Sequence, residues 1–185
     1  MSRRSRDLLH LPVVLSLQPD GGAFLDFATI TISCTKPDAA LHYTYDGSDP
    51  TRSSALYSSP FDQRQTNLVV KAIAFHPDLI ESQVVSSAPF VIKASSPQIS
   101  PNEGTFSGAA LIHVTSPNHG AQMHCTFDGT DPTKETPVCI SPVLVTKTGT
   151  LIKAVATKEG LTVSDVAIMV SPIIVKADCI LGCIA

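Results

Sequence analysis

Apolar and polar residues alternate along several short stretches of the chain, which is the pattern of half-buried β-strands. Residues 41–45 alternate between leucine or tyrosine and histidine or threonine, and residues 29–33 alternate in the same way. Further strands are predicted at 68–75, 84–92, 151–156 and 163–170. Fourteen prolines and ten glycines separate these segments, which are rich in Val, Ile and Thr and therefore favour strand over helix. The pattern predicts an all-β protein.

The same pattern occurs twice, at a fixed offset of 82 residues. HYTYDGSDPT at 42–51 returns as HCTFDGTDPT at 124–133. Residues 18–92 align with 100–174 without a gap, with 23 identities at 75 positions. A match of this length indicates a tandem duplication. Each copy carries about seven short strands with frequent turn signals, which predicts two tandem immunoglobulin-like β-sandwich domains.

The repeat also sets the predicted boundaries. We expect an N-terminal arm at 1–12, a first sandwich at 13–93, a second sandwich at 94–175 and a C-terminal tail at 176–185. The apolar residues of the tail, Ile180, Leu181 and Ile184, are expected to dock onto a partner or onto the second domain, because an exposed apolar tail is a liability.

Charge and hydropathy narrow the classes of partner. The net charge is −3, so no basic field is available to hold a nucleic acid or an anionic membrane surface. No stretch is long and apolar enough to span a membrane. Three arginines before residues 8–17 resemble the start of a signal peptide, but Asp7, His10 and Pro12 interrupt the stretch and no small-residue cleavage site follows. We therefore expect no cleaved signal and a cytoplasmic chain.

Four segments of the first copy together resemble the chitobiase/β-hexosaminidase C-terminal-type repeat. They are LHYTYDGSDPT, LYSSP, LVVKAIAF and ESQVV. The second copy departs from this pattern where Cys125 and Cys139 replace Tyr43 and Tyr57. The resemblance extends from residue 18 to 174. It implies an immunoglobulin-like sandwich that accompanies other domains, including glycosidases, and is not itself catalytic.

The repeated loop carries the most conspicuous candidate chemistry, namely Asp46 and Asp49 with their copies Asp128 and Asp131. The D-G-x-D spacing does not match a calcium loop, and a catalytic pair would need a cleft and a raised pKa. Asp-Gly followed by Asp-Pro is typical of turns, in which the aspartate accepts backbone hydrogen bonds. We therefore expect no catalytic, cofactor-binding or metal-ligating residue, and no cofactor.

Histidines and cysteines give no ligand spacing either. His42 and His124 are expected on strand surfaces, facing away from Tyr43 and Cys125. The five cysteines do not match between the copies; they are Cys34, Cys125, Cys139, Cys179 and Cys183.

Cys125 and Cys139 will be neighbours if the tyrosines that they replace touch. A disulfide between them is geometrically possible, and a Cα separation beyond about 7 Å would exclude it. We expect free thiols, because the chain is interpreted as intracellular.

Two functions remain open. The first is a non-catalytic structural or interaction subunit of a larger intracellular assembly, with other proteins as partners. A ciliary or cortical cytoskeletal array, with tubulin or microtubule-associated proteins, is the context that we name, although the chain has no tubulin-specific signature. The second is a secreted carbohydrate-binding module. Sugar binding normally uses exposed planar aromatics, and tryptophan is absent while all three tyrosines lie in the first copy, so a carbohydrate partner is not expected.

Overall fold

The computed structural model describes residues 13–177, and these fold into two all-β units. Contacts divide the chain after Ile92 into a first and a second unit. The predictions for the N-terminal arm, for Cys179 and Cys183 and for the apolar tail fall on residues outside the described part.

The first unit is built from nine short strands. They are β1 (Leu15–Gln18), β2 (Gly22–Leu25), β3 (Ala28–Cys34), β4 (Ala40–Thr44), β5 (Ala55–Leu56), β6 (Phe61–Gln63), β7 (Lys71–Phe75), β8 (Val85–Ser86) and β9 (Phe90–Lys93). One sheet has the order β1-β3-β6 and another has the order β5-β4-β7-β8, while β2 pairs with β9. The pairs within the two larger sheets are antiparallel. β1 contacts β7 and β8, so the two larger sheets face each other across a core.

The second unit repeats this order. Its strands are β10 (Gln98–Ser100), β11 (Thr105–Ser107), β12 (Ala110–Thr115), β13 (Gln122–Thr126), β14 (Val143–Val145), β15 (Lys153–Thr157), β16 (Ala167–Ile168) and β17 (Ile174–Lys176). The sheets are β10-β12-β14 and β13-β15-β16, with β11 parallel to β17. The copy of β5 is reduced to a single bridge between His124 and Val138.

Both units therefore form the immunoglobulin-like sandwich predicted from the sequence, which is confirmed. The period-two pattern explains their cores. In β3 the buried residues are Ala28, Ile30 and Ile32. In β12, Ala110, Ile112 and Val114 are buried while the residues between them are exposed. Alternate side chains point to opposite faces of a strand, so each apolar series meets the facing sheet.

The predicted strand at 84–92 is interrupted, and this part of the prediction is wrong. It forms β8 and β9, with Pro89 in the gap. Proline has no N–H to donate to a ladder, so a strand is not expected to continue through it. The predicted strand at 163–170 likewise shortens to β16.

A buried serine takes over strand pairing just before each of these short strands. The Ser82 amide donates to the Ala74 carbonyl at 3.0 Å, and the Ser82 hydroxyl accepts from the Ala74 amide at 2.9 Å. Ser164 makes the same two bonds to Ala156, at 3.0 and 2.8 Å. Each hydroxyl therefore satisfies a buried amide that the broken ladder leaves without a carbonyl partner.

Candidate functional site

The first aspartate of each repeated loop holds its own turn. The Asp46 Oδ1 accepts from the amide of Ser48 at 3.0 Å and from its hydroxyl at 2.6 Å. Asp128 accepts the same two bonds from Thr130 at 3.0 and 2.6 Å. The glycine between them has φ of 80° at Gly47 and 81° at Gly129, a left-handed backbone that glycine adopts without strain. These are Asx turns.

The same hydrogen bonds set the acidity of the two carboxyls. The hydroxyl and amide of Ser48 lower the pKa of Asp46, because they stabilise its ionised form. Thr130 lowers the pKa of Asp128 in the same way. A general acid at neutral pH needs a raised pKa, so the direction of both shifts is opposite to that requirement.

The second aspartate fastens the loop to the neighbouring strand. Asp49 pairs with the Lys71 ammonium at 2.7 Å, and Asp131 pairs with Lys153 at 2.7 Å. Lys71 and Lys153 are the first residues of β7 and β15, so each ion pair joins the loop to the start of a strand. Within 13–177, no group of three or more histidine, cysteine or acidic side chains is placed to hold a metal ion.

The two repeated histidines have different surroundings. The half-buried His42 ring hydrogen-bonds through Nδ1 to the Ser54 carbonyl at 2.9 Å and lies 5.5 Å from the Phe75 ring. His124 is 6 % exposed, so the prediction of a surface position is wrong for it. Its Nδ1 bonds to the Thr136 carbonyl, and its Nε2 lies 2.9 Å from the hydroxyl of Thr157. Thr157 stands where the first unit has Phe75, and its hydroxyl gives the buried imidazole a second partner.

Cys125 and Cys139 form a disulfide, so the expectation of free thiols is wrong for this pair. Their Cα atoms lie 5.6 Å apart, within the range that a disulfide spans. The backbone brings them together, because the Cys139 amide donates to the Met123 carbonyl at 2.9 Å beside the His124–Val138 bridge. Cys34 is a free, half-buried thiol.

The tyrosines that these cysteines replace belong to an aromatic cluster in the first unit. Tyr43 stacks on Phe61 with ring centroids 4.4 Å apart and an interplanar angle of 19°. Tyr57 meets both rings edge-on, each at 6.4 Å. The expectation that the tyrosines touch is therefore correct, and Phe61 is a third member of the cluster.

The second unit lacks all three rings, because Val143 replaces Phe61. The space beside the cluster is a small cleft of about 230 Å³ in the first unit, whereas the second unit has a cleft of about 680 Å³. Each residue lining the smaller cleft has its copy, 82 positions later, in the lining of the larger one. The two clefts are thus the same place in the fold, narrowed by rings in the first unit and wider in the second.

The larger cleft has walls of mixed polarity. Apolar contacts come from the disulfide at Cys125, from Phe127 and from the edge strand β14. Polar lining comes from five threonines, Asp128 and Lys147. Sequence reasoning missed this cleft, although the gapless alignment already pairs Phe61 with Val143. The arrangement has the size and the mixed walls of a binding site.

The family model for the chitobiase/beta-hexosaminidase C-terminal domain matches residues 19–86 and 101–168. The chain belongs to this family. The two matches confirm the resemblance drawn from the repeated motifs. Among curated proteins, none matches the chain.

Among solved structures the chain is similar to Rst D1-D2, at 11 % identity, covering 90 % of this chain and 100 % of that one, with a TM-score of 0.35. It is also similar to the fibronectin(III)-like modules of CbhA from Clostridium thermocellum (12 % identity, 91 % and 97 % covered, TM-score 0.31). Murine CEACAM1b gives 11 % identity, 88 % and 100 % covered, and a TM-score of 0.31. At these scores the similarities add nothing about function.

None of the residues from 13 to 177 belongs to a helix that is long and apolar enough to cross a membrane.

Proposed function

We propose that the chain is a non-catalytic tandem module that binds another protein through the surface around the cleft of its second unit. The loop carboxylates support a binding role over a catalytic one, because Asp46 and Asp128 are engaged in turns and Asp49 and Asp131 in ion pairs. The family supports the accessory part of this proposal, since its name describes a C-terminal domain of chitobiase and beta-hexosaminidase.

The observation that carries this proposal is the exposure of apolar side chains around the cleft. Phe127 and Leu144 line the cleft and are 44 % and 62 % exposed. Val138 and Ile140 flank Cys139 and are 50 % and 85 % exposed. Val138 and Ile140 are not part of the cleft lining, but Cys139 between them is bonded to Cys125, which is. Single exposed apolar residues need no explanation, whereas several in neighbouring segments are typical of a protein-binding surface. The edge strand β14 also offers backbone groups for strand addition.

The location and the partner remain predictions. A cytoplasmic chain that contacts tubulin or microtubule-associated proteins is tested by co-sedimentation with polymerised microtubules. The Cys125–Cys139 disulfide weighs against the cytoplasm, because such bonds persist in oxidising compartments. Thiol labelling of the chain taken directly from its native cells distinguishes the cytoplasm from an oxidising compartment. Labelling of Cys125 and Cys139 favours the cytoplasm, and absence of label on both favours an oxidising compartment.

Substitution at the exposed surface tests the binding role. Ile140→Asp places a charge at the proposed surface without opening the core, because Ile140 is 85 % exposed. Ile80→Asp is the matched control, since Ile80 is 89 % exposed in the first unit. We expect immobilised wild-type chain and Ile80→Asp to capture the same protein, and Ile140→Asp to lose it. Equal capture by all three chains would contradict the proposal.

A carbohydrate-binding role is the second candidate, and one observation favours it. Tyr45 is 56 % exposed and lines the small cleft of the first unit together with Asp62, Arg64 and Gln65. An exposed ring beside polar side chains is the arrangement on which sugars stack. A glycan array with wild-type chain and Tyr45→Ala tests it: loss of a glycan signal on substitution supports this role, and an array without hits rejects it.

A further inference from the structure

We propose that the cleft of the second unit is a binding site for an aromatic ring that carries a polar group, the chemistry of a tyrosyl side chain or a free phenol. The inference goes beyond protein docking, because it concerns a ligand class and does not require a partner protein.

The first unit defines the shape of the missing group. There the chain itself supplies two stacked rings, Tyr43 and Phe61, with Tyr57 edge-on to both. The second unit keeps the equivalents of the strands that carry Tyr43 and Phe61 and the same lining positions, but it removes all three rings. A buried disulfide takes the place of Tyr43 and Tyr57, and it fills less volume than the two rings do. The space that opens is therefore a place where this fold accommodates aromatic rings.

The walls of the cleft suit a ring as well. Phe127 contributes a half-exposed ring to the lining, and Val143 and Leu144 of β14 contribute aliphatic groups. Aromatic rings pair by offset stacking or edge-to-face contact, which adds affinity beyond the apolar area that they bury. At about 680 Å³ the cleft falls in the range of small-molecule sites.

The polar end of the cleft differs between the units in a way that points to a polar substituent. In the first unit Arg64 is occupied: it pairs with Asp62 at 2.7 Å and lies 4.7 Å from the Phe27 ring. In the second unit the equivalent positions carry Thr146 and Leu144, and the next residue is Lys147. Among residues 13–177, the Lys147 ammonium has no ion pair and the Thr146 hydroxyl has no hydrogen bond to the protein. Both lie at the cleft, free to donate to a phenolic oxygen.

A titration followed by ¹H–¹⁵N NMR tests the inference with the purified full chain. The probes are N-acetyl-L-tyrosinamide and p-cresol, and N-acetyl-L-leucinamide is the control for an apolar group without a ring. We expect both ring compounds to shift amide signals of the residues that line the large cleft, and the leucine compound to bind about two- to tenfold more weakly. Tighter binding of the tyrosine compound identifies a protein side chain as the source, and equal or tighter binding of p-cresol identifies a free phenol.

Single substitutions at positions that are equivalent in the two units make this test more specific. Val143→Phe restores the ring of the first unit and should abolish the shifts, and its own amide spectrum shows whether the unit stays folded. Phe127→Ala should weaken binding by about two- to tenfold, while Tyr45→Ala, its counterpart in the first unit, should leave it unchanged. Lys147→Met should weaken the tyrosine compound but not N-acetyl-L-phenylalaninamide.

Two results would overturn the inference: equal shifts from the leucine and tyrosine compounds, or undiminished binding by a folded Val143→Phe chain. The outcome is separate from that of the proposed function. Capture of a protein that depends on Ile140, without any ring binding, would leave the docking role standing alone.

Discussion

The buried serine hydroxyls make a sharp prediction about stability, and Ser82→Ala is the perturbation that tests it. Ser82 is 8 % exposed and Ala74 is fully buried. Alanine removes the oxygen that accepts from the Ala74 amide at 2.9 Å, while the hydrogen bond between the Ser82 amide and the Ala74 carbonyl remains available. The substitution therefore leaves one buried N–H without a partner, which costs about 1–3 kcal/mol of unfolding free energy.

Tyrosine fluorescence during urea unfolding measures this cost in one unit at a time, because all three tyrosines of the chain lie in the first unit. With a slope of about 1–1.5 kcal/mol per molar urea for so small a unit, a loss of about 1–3 kcal/mol should lower the midpoint of Ser82→Ala by about 0.7–3 M. Ser164→Ala makes the same change in the second unit and should leave the tyrosine transition in place. Ser86→Ala, at an exposed position of β8, controls for the loss of a hydroxyl.

A loss below about 0.3 kcal/mol for Ser82→Ala would refute the reasoning, because it would mean that the Ala74 amide finds another acceptor or reaches water. An equal effect of Ser164→Ala on the tyrosine signal would refute the use of that signal as a reporter of the first unit alone.

Reduction of the Cys125–Cys139 disulfide frees a loop spanning 14 positions and should destabilise the second unit by about 3 kcal/mol, measured by its unfolding with and without reductant. Ser48→Ala should raise the pKa of Asp46 toward its ordinary value, as followed by ¹³C NMR of the carboxyl. Because the folded pKa is lowered, this contribution to stability is present above the unfolded pKa and is lost as pH falls through the folded value, so Ser48→Ala should reduce the sensitivity to acid. Asp49→Asn should cost at most about 1 kcal/mol, decreasing with added salt in urea unfolding, because the Asp49 side chain is 74 % exposed.

Much of the fold could be predicted from the sequence because its signals are local or repeated. The alternation at 29–33 predicted which face of β3 is buried, and the fixed offset of 82 predicted a second unit of the same design. Asp-Gly predicted a turn with positive φ at Gly47 and Gly129. These features depend on neighbours in the chain, which a sequence displays directly.

The features that escaped prediction depend on contacts between distant segments. The burial of His124 depends on Thr157, 33 residues away, which gives the ring a partner. The break between β8 and β9 could have been anticipated from Pro89, but the replacement of ladder bonds by Ser82 required knowledge of β7. The disulfide and the large cleft arise from three substitutions, at Cys125, Cys139 and Val143. These positions are separated in the sequence and become neighbours only in the folded unit.

The contacts that hold each loop and each broken strand are made to the backbone or between residues that both units share. Asp46 and Asp128 hold their own turns, Lys71 and Lys153 hold the loops, and Ser82 and Ser164 hold the strands. Of these six residues only Asp128, with its turn partner Thr130, lines a cleft, and the other five line neither cleft. After duplication of such a module, the residues that line the cleft of one copy can be substituted while the contacts that hold its loops and strands are kept. This separation also makes the chain a scaffold for engineering, in which a new specificity can be introduced at the wide cleft of the second unit while the narrow cleft of the first unit serves as the reference.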